Sequence, residues 1–464
     1  MNRRTRLTFI YCAPLILSAG AATAQSSAAA VSLSDVVNEA EKTYPSIRVS
    51  QEDLNASAAR LALVRTAYLP RLDGVAQFNR GTRNNVFGSL LPQAVIPSMS
   101  GPVIGTNNSG SVWGSATGLL VNWQPFDFGV RHANVSAAVA AKDKAIAANQ
   151  RTELEIVAAS ADAYLTELAS ISTRSAALGA VENWETLRTS IHALVAAQLR
   201  PGADESRVDA EKAAAISQLA LADEAIETSR ATLVKFAPGI GTGTPSPGRL
   251  ETELPDLSGV DGSFVPSKNP AVVEQEAAVR QNTSQLHSIE RNWVPQFSLE
   301  GAAYARGTGA ETNGQRLSGA NGLAPNVGNY TAGVNITFPF LDFASIHARE
   351  SEQIANLRAA KATKDLTVRS LQEQFSQGIA GLKAAKTIAE NTPIQMKAAQ
   401  TALDQATARY KAGLAPIDDV AQAQRLLVQA QMDDSVARLN VWRAFLRLQF
   451  VHGDLQPFLN QAGH

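Results

Sequence analysis

Two stretches of this chain, 215 residues apart, carry the same construction. Residues 117–133 read TGLLVNWQPFDFGVRHA and residues 332–348 read AGVNITFPFLDFASIHA. Gly118/Gly333, Asp127/Asp342, Phe128/Phe343, His132/His347 and Ala133/Ala348 coincide at that constant offset. In each copy a run of alternating branched and aromatic residues predicts a β-strand. A Pro/Phe/Asp elbow follows, then a long alanine-rich run with helical spacing. A chain that repeats strand, elbow and long helix is a tandem duplication, and its architecture must accommodate both copies.

The flanking sequence repeats as well. Asn269-Pro270 answers Tyr44-Pro45 and Val294-Pro295 answers Leu69-Pro70, both at an offset of 225. In the first repeat, residues 25–237, a short helix begins near residue 33, with Ser34 or Asp35 as its cap. A second helix spans about 46–68 and stops before Pro70. Strands are predicted over about 72–80 and 111–123, separated by a polar loop, and long helices over about 127–199 and 205–236. Residues 238–269, rich in Pro, Gly and Ser, form an irregular linker. The second repeat, residues 270–450, predicts strands over about 297–306 and 330–338 and helices over about 342–410 and 416–450, with a kink at Pro393. Residues 451–464 are left as a C-terminal tail. The helices 46–68 and 205–236 together match the length of the helix 127–199, so end to end they can run alongside it.

Residues 1–24 have the form of an export signal: Arg3, Arg4 and Arg6, an apolar run over 7–19, and an Ala22-Thr23-Ala24 cleavage site. The only cysteine, Cys12, lies within it and has no small residue before it, as lipid attachment would require. The mature chain is thus expected to have no thiol, and loss of the three arginines takes the formal charge from −1 to −4. Such a balance argues against nucleic acid as the main partner. No P-loop and no nucleophile elbow is present, and the aromatic content of 6% suits closely packed helices better than a large globular core.

Four strands cannot close into a barrel alone, and two exposed hairpins are marginal. Strands of about 9–13 residues match the 9–11 needed to cross a bilayer at a tilt. Their alternating faces, with aromatic residues near the ends, suit lipid on one side and water on the other. The fold class expected is mainly α with a membrane β-barrel, several copies closing one barrel that continues into a coiled-coil-like helical tube about 100 Å long. The competing reading is a soluble periplasmic coiled-coil scaffold or adaptor with a small sheet and no pore; an enzyme is a distant third.

The two-fold repeat, the Pro-Phe-Asp-Phe elbow, the Asn-Pro helix start and the turn Arg409-Tyr-Lys-Ala-Gly-Leu-Ala-Pro-Ile-Asp-Asp-Val420 resemble the TolC-type outer-membrane efflux family over residues 33–450. The resemblance implies a homotrimer with a 12-stranded barrel, embedded in outer-membrane lipid. It implies docking to a periplasmic adaptor (membrane fusion) protein and an inner-membrane pump or ABC transporter, as the exit duct of a tripartite pump or type I secretion system. It implies no cofactor, metal or catalysis. Tyr410 and Asp419 match family residues that hold the periplasmic entrance shut, whereas Ala415 and Gln422 stand where the family has an arginine and a second acid. Gly202, Gly413 and the exposed Leu414 mark the helical tips that an adaptor would contact. Pro125, Asp127, Phe128, Pro339, Asp342 and Phe343 form the elbows, with Asp127 and Asp342 expected as helix caps and His132 and His347 as packing residues.

Overall fold

The computed structural model describes residues 30–82, 110–258, 264–311, 313, 315–338 and 340–463. The export signal with Cys12, most of the loop after the first strand, and Pro339 lie outside the described residues. The chain runs β1 (Ala30–Val31), α1 (Leu33–Thr43), α2 (Pro45–Arg65), β2 (Arg71–Thr82), β3 (Ser111–Trp123), α3 (Val130–Ala196) and α4 (Gly202–Phe236). It continues with β4 (Thr244–Pro245), α5 (Pro270–Glu290), β5 (Gln296–Thr308), β6 (Val327–Thr337), α6 (Phe343–Lys411), α7 (Ile417–His452) and α8 (Gln456–Ala462).

β2, β3, β5 and β6 form one antiparallel sheet in that order, so the two repeats meet along the β3–β5 seam. Register assigns each side chain to a face. Leu72 lies opposite Val121 and Val121 opposite Gly301, while Leu119 lies opposite Ala303 and Ala303 opposite Tyr330. This face carries the exposed Leu72, Phe78, Leu119, Val121, Leu299, Tyr330, Val334 and Ile336. The opposite face carries Asp73, Gln77, Asn122, Ser298, Glu300, Thr331 and Asn335. That face is mixed, since Val75, Leu120, Ala302 and Tyr304 also cluster on it, but a sheet whose exposed face is this apolar is the inverse of a soluble half-buried sheet.

The long helices are zipped by shorter ones. α2 runs antiparallel to the first part of α3, where the Ser50 hydroxyl donates to Asn149 Oδ1 at 2.7 Å. α4 covers the last part, with Arg174 on Asp223 and Arg188 on Asp209, each at 2.5 Å. The second repeat does the same: Lys364 of α6 meets Glu276 of α5 at 2.9 Å, and Thr392 of α6 donates to Asp434 of α7 at 2.8 Å. The helix α6 continues through Pro393. Among the described helices none is long and apolar enough to cross a membrane.

The main core sits between the two repeats, midway along the helices. α1 buries Val36, Val37 and Ala40 in one cluster that also holds Tyr164, Leu165 and Leu168 of α3 and Trp442 and Phe445 of α7. The Tyr164 hydroxyl donates to the Ser246 carbonyl at 2.6 Å, with the Val31 carbonyl 2.9 Å away, tying the β1–β4 pair to α3. Among its described residues the linker is irregular apart from β4 and two short 3-10 turns. Two expectations change. Ser32, not Ser34 or Asp35, caps α1, forming a reciprocal box in which the Asp35 N–H donates to Ser32 Oγ and the Ser32 N–H to Asp35 Oδ2. The tail holds α8, because Phe458 is fully buried between Trp442 and Phe445.

The second repeat is clamped at its entry. Buried Asn269 accepts from the Ala271 N–H and donates to the carbonyls of Phe450 and Val451, at 2.9, 3.2 and 2.9 Å. The end of α7 reaches it through Gly453, at φ 83°, where an added Cβ would lie 2.7 Å from the Asn269 Cα. Gly453→Ala is therefore expected to cost more than about 1 kcal/mol, combining an unfavourable left-handed backbone with a backbone clash. Thermal unfolding of the detergent-extracted protein measures it, and an unchanged melt contradicts this packing.

Candidate functional site

Two regions lie where function must be built: the elbows, where the sheet passes into the helices, and the helical tips at the far end.

At the first elbow the chain turns through Phe128 at φ 49° and Gly129 at φ 91°. Gly129 is the N-cap residue of α3 and offers no side chain, so Asp127 takes over from two residues upstream. Its carboxylate accepts from the N–H groups of Gly129 at 3.2 Å and Arg131 at 2.5 Å, and from Arg131 Nε at 2.9 Å. Burial pushes the Asp127 carboxyl up, and the bonds from the Arg131 side chain and from the two backbone N–H groups outweigh it, holding the group below its usual value. Arg131 is itself buried; it donates to the carbonyls of Ala67 and Pro125 and lies 4.8 Å from the Tyr68 ring centroid. The Trp123 indole N–H donates to the Tyr68 carbonyl at 3.1 Å. One arginine thus binds helix α3, the strand exit and the end of α2.

The second elbow is built differently. Asp342 is the N-cap residue of α6, but its side chain makes no capping hydrogen bond, contrary to expectation. Asp342 lies in the helical region, at φ −82° and ψ −2°, not in the extended conformation from which a cap reaches the first N–H groups, and Ile346 stands where the first elbow has Arg131. Phe126, Phe128, Phe340, Leu341 and Phe343 are all exposed around the elbows, with Trp293 nearby in sequence to β5. His132 and His347 are exposed rather than packed, as surface polar residues at the starts of the helices. Asp127→Ala, which strips a buried arginine of its carboxylate, is expected to cost about 3 kcal/mol. Asp342→Ala should stay within about 0.5 kcal/mol. Parallel thermal melts of the two variants test the asymmetry.

At the tips, both helix ends close by the same hydrogen-bond pattern. The Leu414 N–H donates to the Arg409 carbonyl at 2.8 Å and the Gly413 N–H to Tyr410 at 2.9 Å, with Gly413 at φ 76°. In the other hairpin the Leu199 N–H donates to the Leu194 carbonyl and the Gln198 N–H to Val195, both at 2.9 Å, with Gln198 at φ 59°. The left-handed stop is therefore Gln198, and Gly202 is the first helical residue of α4. The offset of 215 relates Gln198 to Gly413, Leu199 to Leu414 and Pro201 to Pro416. Leu199 and Leu414, at equivalent places in the matched turns, are 69% and 73% exposed.

Between these turns Tyr410 is almost completely buried. Its hydroxyl donates to Asp204 Oδ2 at 2.7 Å, its ring lies 4.3 Å from the Arg200 guanidinium, and Arg200 donates to its carbonyl. Burial first, and Asp204 second, pushes the phenol up to about 12, so it stays a protonated donor throughout the neutral range. Around this contact Arg207 lies 3.5 Å from Asp418 and 3.7 Å from Glu211, and Glu211 is 2.6 Å from Arg425. Asp419 is exposed, and the structure brings Tyr410 together with Asp204 and Arg200 rather than with Asp419. Sequence reasoning missed Arg200 and Asp204, although the repeat carried the signal: they are the positional equivalents of Ala415 and Asp419.

A profile of the outer membrane efflux protein family matches residues 36–237 and 265–454. Solved structures share the fold. The outer membrane protein VceC of Vibrio cholerae is 17% identical, with a TM-score of 0.73 over 91% of this chain and 96% of that one. The MtrE outer membrane channel of Neisseria gonorrhoeae is 18% identical, with a TM-score of 0.70 over 91% and 89%. CusC is 12% identical, with a TM-score of 0.76 over 94% and 95%. Among curated protein sequences none matches. With the family match covering most of the chain, the amphipathic sheet and the paired long helices belong to an outer-membrane efflux duct reaching into the periplasm, and the chain belongs to the outer membrane efflux protein family.

Proposed function

We propose that three copies of this chain assemble into one passive exit duct, which receives cargo from a periplasmic adaptor and an inner-membrane pump. The sheet carries this reading. β2 and β6 are its free edges, and an apolar face in lipid cannot leave backbone N–H and C=O groups unpaired. Pairing β6 of each copy with β2 of the next closes a barrel of the even strand number seen in bacterial outer-membrane proteins. The pump supplies energy and any chemistry; the duct does neither.

The contact between the tips is the proposed periplasmic gate. Tyr410 joins α6 to Asp204 of α4, and Arg200 supplies, from the first repeat, a guanidinium absent at Ala415. Opening requires the α6–α7 tip to leave the α4 tip, which breaks this contact. Asp419, exposed on α7, is free to form a ring of three carboxylates at the entrance and to favour cations there. Leu199 and Leu414, with Gly202 and Gly413 beside them in the turns, form the adaptor-contact surface.

Single-channel recording in planar bilayers tests the gate. Tyr410→Phe and Arg200→Gln each remove a hydrogen bond to or from a charged group, worth about 1.5–3 kcal/mol, so the closed state should lose roughly tenfold or more in population. The expected result is larger or more frequent conductance with the phenol or guanidinium removed, and unchanged currents would sink the gate assignment. Leu414→Asp should conduct like the parent in bilayers yet fail to export in cells; normal export by an assembled variant removes the adaptor role.

A further inference from the structure

The outward face of the sheet contains a single charged residue among the described strand positions, and its place is specific. The register puts Arg71, Asp73, Glu300 and Arg306 on the polar face. Arg80 alone falls on the apolar face, directly opposite Trp113 and two residues beyond the exposed Phe78. A charge on the lipid side of a barrel costs about 2–4 kcal/mol at the bilayer midplane and close to nothing at the interface. Its depth therefore decides what it does.

Depth follows from the strand itself. Trp113 and Trp123 lie on the same face, ten residues apart. At about 3.3 Å per residue that is about 33 Å along the strand, and about 25 Å along the membrane normal at a tilt near 40°. This is the height of the apolar band of an outer-membrane barrel, with one tryptophan at each boundary. Trp123 adjoins the elbow and the helices, so it marks the periplasmic boundary and Trp113 the outer one. The β5–β6 loop supports the assignment: it folds back at this level, with Gly309 donating to the Trp113 carbonyl at 2.8 Å and its own carbonyl accepting from the Leu317 N–H at 2.9 Å. A polar loop laid on strand tops ends the hydrocarbon layer.

Arg80 is held ready at this boundary. Its guanidinium carbon lies 5.1 Å from the Trp113 ring centroid, and its Nε donates to Ser111 Oγ at 2.8 Å. Those contacts use the ring face and one N–H; the two terminal nitrogens have no acceptor among the described residues. A planar guanidinium with its stem fixed and no described acceptor at its fork matches a phosphate, to which it donates two parallel hydrogen bonds. At the outer headgroup level of a bacterial outer membrane the phosphate available is that of the phosphorylated glycolipid of the outer leaflet. We propose that Arg80 and Trp113 form a lipid-facing site on each chain that binds the headgroup phosphate of that glycolipid, so that the duct carries a ring of outer-leaflet lipids. The inference rests on the sheet facing lipid, as the efflux-duct reading requires.

Native mass spectrometry of the detergent-extracted assembly, titrated with phosphorylated lipid A, tests it. The comparison arms are enzymatically dephosphorylated lipid A and phosphatidylglycerol. On the unaltered protein, phosphorylated lipid A should be retained, one per chain, at least about fivefold more tightly than either comparison lipid, from about 1 kcal/mol per interfacial cation. Arg80→Gln should lose that preference, Arg80→Lys, which keeps the charge without the planar fork, should lose part of it, and Arg306→Gln, which changes a charge on the polar face, should keep it. Equal retention of the dephosphorylated lipid, or equal loss in Arg306→Gln, would overturn the phosphate site. Equal retention of phosphatidylglycerol would overturn the glycolipid as its occupant. A protein that fractionates without membranes would instead remove the duct reading itself.

Discussion

A sheet with an apolar exposed face lives in a solvent that cannot hydrogen-bond, so every backbone group at its edges needs a protein partner. The rest of this structure depends on that constraint. Each chain supplies four strands, joined across the repeats at β3 and β5, with β2 and β6 at the edges. The barrel cannot be finished within one chain, and assembly is therefore part of the fold rather than an addition to it. The helices inherit their arrangement from the strands: each elbow turns a strand of the sheet into a long helix, so in the proposed assembly a closed ring of strands continues as a closed ring of helices.

Within the chain the two repeats are not equivalent, and the differences fall where mechanical duties differ. The first elbow is fixed by Asp127, Arg131 and Tyr68, whereas the second has Ile346 in place of the arginine and stacks Phe338 on Phe340. At the tips the left-handed stop is Gln198 in one hairpin and Gly413 in the other. The middle of the molecule is where rigidity is concentrated, through the core around Tyr164, Trp442 and Phe458. The far tips are joined by a smaller core, in which Trp184, Ile191 and Val208 of the first hairpin pack with Tyr410, Ile417 and Val420 of the second, and by ion pairs at its edge, each worth little on its own. A large core at the waist and a smaller one at the tips leave the tips the more lightly packed end, as the proposed periplasmic gate requires.

Much of this was legible in the sequence. The offset of 215 and the alternation of faces in 111–123 and 330–338 gave the strands, the elbows and the long helices, because each is a periodic feature within a continuous segment. What was not legible depends on contacts between distant segments or on short ones. Tyr410 meets Arg200 and Asp204 about two hundred positions away, and nothing local marks them. The helix α8 is seven residues long, too short to show a period, and exists because Phe458 has a socket to fill. The left-handed stop of the first hairpin falls on Gln198 rather than on a glycine, which is the default residue there. The lone charge on the apolar face, Arg80, became visible only once register had assigned every strand residue to a side.

The central claim is that four strands per chain close only across copies. The mass of the detergent-extracted particle, measured by native mass spectrometry, tests it most directly. The account predicts a particle of three chains recovered from the outer-membrane fraction. A stable particle of one, two or any other number of chains, or recovery without detergent from the soluble periplasmic fraction, would contradict it.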